Sequence, residues 1–129
     1  MKNLFRSTMM ALLFSVPLFT GAQVPVMNSY PSATAVLFLD FDGHTLDNTA
    51  WNYNGPIVCD ASGMTNTNIV SVFNRVAEDY RPFNINVTTD ESKYLAAPID
   101  RRIRVVLTVS HQWYGAAGGV AFVGSLPGE

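Results

Sequence analysis

Histidine and cysteine are nearly missing from this chain. Its 129 residues hold two histidines, His44 and His111, and one cysteine, Cys59. A lone cysteine excludes an internal disulfide, and its small apolar side chain is expected to be buried as a hydrophobe. The three residues stand 15 and 52 positions apart, a spacing that matches no zinc site. Each histidine therefore reads as a structural or surface residue. Cations are also scarce. Of eight Lys and Arg only six lie beyond residue 22, against ten Asp and Glu, so that part carries a formal charge of −4. A surface of that sign is a poor partner for nucleic acid. Long apolar runs are absent as well: Met9 to Phe19 is interrupted by Pro17 and is shorter than the roughly 20 residues that span a bilayer. Stable membrane insertion is not expected.

That short run does fit an export signal. Lys2 and Arg6 precede it and Thr20-Gly21-Ala22 follows with small residues, so residues 1–22 read as a signal peptide cleaved near Ala22. No cysteine follows to suggest a lipid anchor. The expected location is secreted, periplasmic or cell-surface. Cleavage leaves 107 residues, enough for one modest domain; composition sets no oligomeric state.

Along the mature part, residues 23–33 hold two prolines and no periodicity, and read as a flexible lead-in. Thr34 to Leu39 is a continuous apolar run suited to a strand covered on both faces. Asp47 to Thr67 mixes Asn, Asp, Gly, Pro and Ser and reads as a long irregular excursion. Ile69, Phe73, Val76, Ala77 and Tyr80 then recur at helical spacing, with caps available between Thr65 and Asn68 and a stop at Pro82. Phe83, Ile85 and Val87 alternate with Asn84, Asn86 and Thr88 as in a half-buried strand. Ile103, Val105, Leu107 and Val109 alternate after a polar loop, and Val120 to Val123 forms a last short strand after Gly118-Gly119. The expected class is α/β (α+β): a twisted mixed sheet of about four strands with one packed amphipathic helix. One helix cannot cover such a sheet, so the chain is expected to be the N-terminal piece of a longer protein.

LFLDFDGHTL, Leu37 to Leu46, invites a haloacid dehalogenase-type phosphatase reading, with Asp40 as nucleophile and Asp42 as acid. The supporting parts fail. His44 stands where that pattern has Thr or Val. Lys93, the only lysine beyond residue 22, precedes the candidate hydroxyl Ser110, and no acidic pair follows it. Asp40, Asp42 and His44 are better read as a polar cluster that organises the strand end. Glu78 and Asp79 sit at the helix C-terminus, where acids oppose the dipole; both are expected to find a backbone amide or an arginine, and Asp79→Ala is expected to destabilise. The Asn86-Val-Thr sequon falls within a strand and carries no weight.

Three segments together resemble the N-terminal half of secreted bacterial zinc metallopeptidases of the metzincin type. They are LFLDFDGHTL with Trp51, VFNRVAEDYRPFNINVTTD from Val72 to Asp90, and WYGAAGGVAFVGSL from Trp113 to Leu126. The last also resembles a Gly-x-Ala-Tyr-Val-Gly stretch of adamalysin-like peptidases, with Phe122 in place of tyrosine. The resemblance implies that residues 34–129 are the N-terminal part of a catalytic domain acting on protein or peptide substrates. It further implies that an extended substrate adds as an antiparallel strand at Gly119, Val120, Ala121, Phe122, Val123 and Gly124. The family's zinc motif, His-Glu-x-x-His-x-x-Gly-x-x-His, is not in this chain, so the zinc ligands are expected downstream of residue 129 and the chain alone is expected to be inert. A non-enzymatic secreted module, holding a peptide or glycan on Trp51, Tyr53, Trp113 and Tyr114, is the alternative; the phosphatase is a second.

Overall fold

The computed structural model describes residues 23–52 and 54–121. The expected signal peptide 1–22, Tyr53 and residues 122–129 lie outside them. Strands β1 (Ala35–Asp40), β2 (His44–Leu46) and β3 (Ile57–Cys59) precede helix α1 (Asn66–Asp79). Strand β4 (Ile85–Thr88), helix α2 (Glu91–Ala96), a 3-10 turn (Ile99–Arg101) and strand β5 (Arg102–Val106) follow. The result is a small mixed α/β unit with a parallel three-stranded sheet, ordered β4-β1-β5, and an antiparallel β2-β3 hairpin.

β1 is central because it is apolar on both faces, and its neighbours complete those faces differently. Phe38 stands opposite Thr88 on one side and Arg104 on the other, while Leu37 stands between Val87 and Ile103. Paired residues of parallel strands share a face. One face therefore carries Leu37, Leu39, Val87 and Ile103, and α1 covers it. Ile69 and Phe73, at helical spacing, join Leu37, Leu39, Phe41 and Val87 in one core, with Val72, Val76, Ala77 and Tyr80 packed around it. Burial of each such side chain contributes about 2 kcal/mol. Thr65 caps the helix by accepting from the Asn68 amide. The other face carries Val36, Phe38, Asp40, Asn86, Thr88, Arg102 and Arg104, and α2 lies over it with the Tyr94 ring 5.6 Å from Phe38.

Several expectations are corrected. The lead-in is not loose: it runs antiparallel along the outer edge of β4, with a bridge between Asn28 and Thr88. Ser29 N donates to Val87 O, Thr89 N donates to Met27 O, and Tyr30 N donates to Asn86 Oδ1. Thr88 Oγ1 donates to Met27 O and Asn86 Nδ2 to Asn28 Oδ1. This arm buries the polar side chains of β4, so Asn86 and Thr88 are as buried as Val87 and the strand is not half-exposed. Phe83, expected inward, is exposed. Residues 47–67 are not wholly irregular, since Ile57–Cys59 pairs with His44–Leu46. The polar loop before β5 contains α2, so among the described residues two helices flank the sheet, not one. Asp79 is exposed and no described residue bonds its carboxylate, while Glu78 meets Arg81 at 3.5 Å with both exposed.

Two substitutions check this assignment. Asn86→Ala strands the Tyr30 amide and the Asn28 side-chain oxygen Oδ1 and is expected to lower the unfolding free energy by roughly 1–3 kcal/mol in denaturant titration. Asp79→Ala, contrary to the sequence-based expectation, should stay within about 0.5 kcal/mol of the parent.

Candidate functional site

The chain passes from β1 to β4 on one side and returns to β5 on the other, so the strand order reverses at β1. In open parallel sheets, ligand crevices form outside the carboxyl ends of the strands at such a reversal. That end is built here from four elements. Asp40 closes β1, His44 opens β2, Glu91 opens α2, and Arg104 sits in β5.

Arg104 joins them. Its NH1 donates to Asp40 Oδ2 at 2.7 Å and to His44 Nδ1 at 2.8 Å, and its NH2 donates to Glu91 Oε1 at 2.5 Å. The guanidinium carbon lies 5.1 Å from the Phe38 ring centre and 5.0 Å from that of Tyr94, a cation–π arrangement against two rings. Arg102, two residues earlier on the same face, gives its NH1 to the carbonyls of Tyr94, Leu95 and Ala97 and so caps the C-terminus of α2.

Asp40 is 1% exposed, and burial pushes its carboxyl up from 3.8 to about 6, outweighing the opposite pull of Arg104. Burial, and then the charge of Arg104, hold the His44 imidazole below its ordinary 6.5. His44 is accordingly neutral at pH 7, with Nδ1 accepting from Arg104 and the proton on Nε2. The two groups act on stability in opposite directions. Asp40 has a raised folded-state value, so its contribution is full below pH 3.8 and is lost as the pH rises through about 6. His44 has a lowered one, so its contribution is present above 6.5 and is lost as the pH falls through the folded value.

The Asp40-Phe41-Asp42-Gly43 motif is thus explained by packing. Asp40 Oδ1 accepts the Asp42 amide at 3.3 Å and Oδ2 is held by Arg104, so the carboxylate faces inward with no free approach for a phosphoryl group. Asp42 is exposed. Gly43 has φ +96° and a Cβ there would stand 2.9 Å from the Cys59 carbonyl and 3.0 Å from the Ala61 amide. Only glycine lets β3 fold back this closely on the turn after β1. Cys59 is buried, as its type suggests, and burial followed by Asp40 and Asp60 pushes its thiol above 9.0.

Of the residues expected to take substrate, Gly119 and Ala121 are exposed and Val120 is half-buried, all without regular structure. Phe122, Val123 and Gly124 lie outside the described residues. The aromatics of the alternative reading do converge: Trp51 and Trp113 meet edge-to-face at 5.8 Å, and Tyr114 lies 5.6 Å from Trp113. Tyr53 is outside the described residues. His111 is exposed, far along the chain from His44, and among the described residues no three of His, Cys, Asp and Glu gather as a metal site would require. Arg104 and Glu91 escaped the sequence reading. The polar positions of an alternating strand read as solvent-facing, and only the unnoticed α2 turns the Arg104 face inward.

The chain matches no protein-family model, no curated protein and no solved structure.

Arg104→Met leaves Asp40 buried without its partner and should cost about 3–5 kcal/mol at pH 7. The loss should shrink at pH 5, where the Asp40 carboxyl is already protonated in the folded state. Paired chemical denaturation curves at the two pH values check this. Gly43→Ala, strained in both φ and contact, should cost on the order of 2 kcal/mol in the same assay.

Proposed function

We propose that the chain is the N-terminal part of an exported zinc-dependent endopeptidase of the metzincin type. One observation carries the reading. LFLDFDGHTL and Val72–Asp90, separate in sequence and each resembling that family, make a single packed unit: β1 and Phe41 share one core with the second half of α1 and with β4. A parallel sheet whose β5 flank has no partner among the described residues also suits a domain completed by further strands.

In this reading the described residues supply the scaffold, and the substrate backbone adds along Gly119, Val120, Ala121, Phe122, Val123 and Gly124, bound through main-chain hydrogen bonds that tolerate many sequences. The described residues do not form a zinc site. Zinc, held by residues downstream of Glu129, would activate water for peptide hydrolysis. The exposed convergence of Trp113 and Tyr114 with Trp51 favours a second reading, a secreted peptide- or glycan-binding module without catalysis.

The protein encoded by the complete reading frame should hydrolyse an unfolded protein substrate, lose that activity on chelation and regain it with zinc, while residues 1–129 alone show no turnover. Tight binding without hydrolysis would select the module; hydrolysis indifferent to chelators would overturn the metallopeptidase.

A further inference from the structure

The chain leaving β5 is tied to the hairpin by a closed ring of hydrogen bonds. Ser110 Oγ accepts the Asp60 amide at 2.9 Å and donates to Asp60 Oδ2 at 2.9 Å. Thr108 Oγ1 donates to the Asp60 carbonyl at 2.7 Å and accepts the Ser110 amide at 3.0 Å. Both hydroxyls thus donate and accept, and Asp60 engages through amide, carbonyl and carboxylate at once. Ser110 is 8% exposed. The hairpin it grips is itself fixed, because His44 on β2 receives Arg104 and Ser62, beyond β3, donates its amide to the Phe41 carbonyl.

Beyond the ring the chain has little to hold it. Among the described residues, the hydrogen bonds of residues 111–121 reach no further than four residues along the chain: Tyr114 and Gly115 amides to the His111 carbonyl, Ala117 to Gly115, His111 to Gln112 and to Val109. Among the described residues, the ring contact that leaves the segment is Trp113 against Trp51, in the same hairpin's connecting loop.

We infer that Asp60 and Ser110 are positioning residues: they set the point and direction from which the segment His111–Ala121 departs, and with it the start of the stretch to which substrate is proposed to add. This rests on the reading above for its consequence, but not for its geometry. A hairpin locked to the sheet end acts as a bracket, and the ring transfers that fixed position to a segment that has no ladder of its own.

The test uses the full chain for geometry and the complete protein for function. In the full chain, Ser110→Ala should lower backbone NMR order parameters at His111–Ala117 from about 0.8 to below about 0.6, with β1 and β4 unchanged, and Ser110→Thr should restore them. In the complete protein, Ser110→Ala should raise KM for a protein substrate several-fold with kcat within about twofold. Asp60→Ala, exposed and keeping both backbone bonds of the ring, should give the same pattern in weaker form and serves if Ser110→Ala fails to fold. Unchanged order parameters in the folded variants would overturn the bracket. Lowered order parameters with unaltered KM would overturn the link to substrate instead, and chelator-insensitive or absent hydrolysis in the parent would sink the protease reading while leaving the bracket standing.

Discussion

A buried carboxylate needs a counter-charge, and here a single guanidinium answers it. Asp40 ends the central strand at 1% exposure, where an uncompensated negative charge is strongly unfavourable. Arg104 reaches it from the neighbouring strand while resting between Phe38 and Tyr94, and its remaining donors bind His44 and Glu91. The planar fork of arginine suits this, because one side chain can satisfy several acceptors in fixed directions where lysine presents a point charge. Sheet, hairpin and α2 are thereby referred to one atom group. The placement of the hairpin follows from it, and so does the ring at Asp60 that grips the exit of β5.

The opposite flank of the sheet solves a different problem. β4 would be an edge with open amides and carbonyls, and the polar side chains Asn86, Thr88 and Thr89 would face outward beside it. The arm from Pro25 to Tyr30 answers both needs with a mixture of main-chain and side-chain bonds, including Thr89 Oγ1 to the Pro25 carbonyl and Val87 N to Ser29 Oγ. Polar residues in β4 are therefore not a surface but a recognition sequence for the arm.

Legibility followed the periodicity of apolar side chains. β1, α1 and β4 could be read because Val36 to Leu39, Ile69 to Tyr80 and Ile85 with Val87 carry the hydrophobic pattern of their element. The hairpin could not: Ile57-Val58-Cys59 is three residues long and is held by a glycine-dependent close approach rather than by a pattern. α2 has no buried residue, so Glu91–Ala96 left no apolar stripe to detect, and its anchoring comes from Arg102 and Arg104 beneath it. The arm was hidden for the same reason, since its partners are amides and hydroxyls. The role of Asp40 as an organiser was legible from its place at a strand end, whereas the identity of its partner, 64 positions away, was not.

The parallel arrangement around β1 has a temporal consequence. Ala35 pairs with Ile85 and Val36 with Arg102, separations of 50 and 66 positions, so a chain emerging from its first residue carries Ala-Val-Leu-Phe-Leu with both flanks bare until β4 and then β5 have been made. Such a stretch is adhesive toward other nascent strands, and closing it late makes acquisition of the native state slow. Productive yield would then be governed less by the final stability of the domain than by whatever shields those five residues during synthesis.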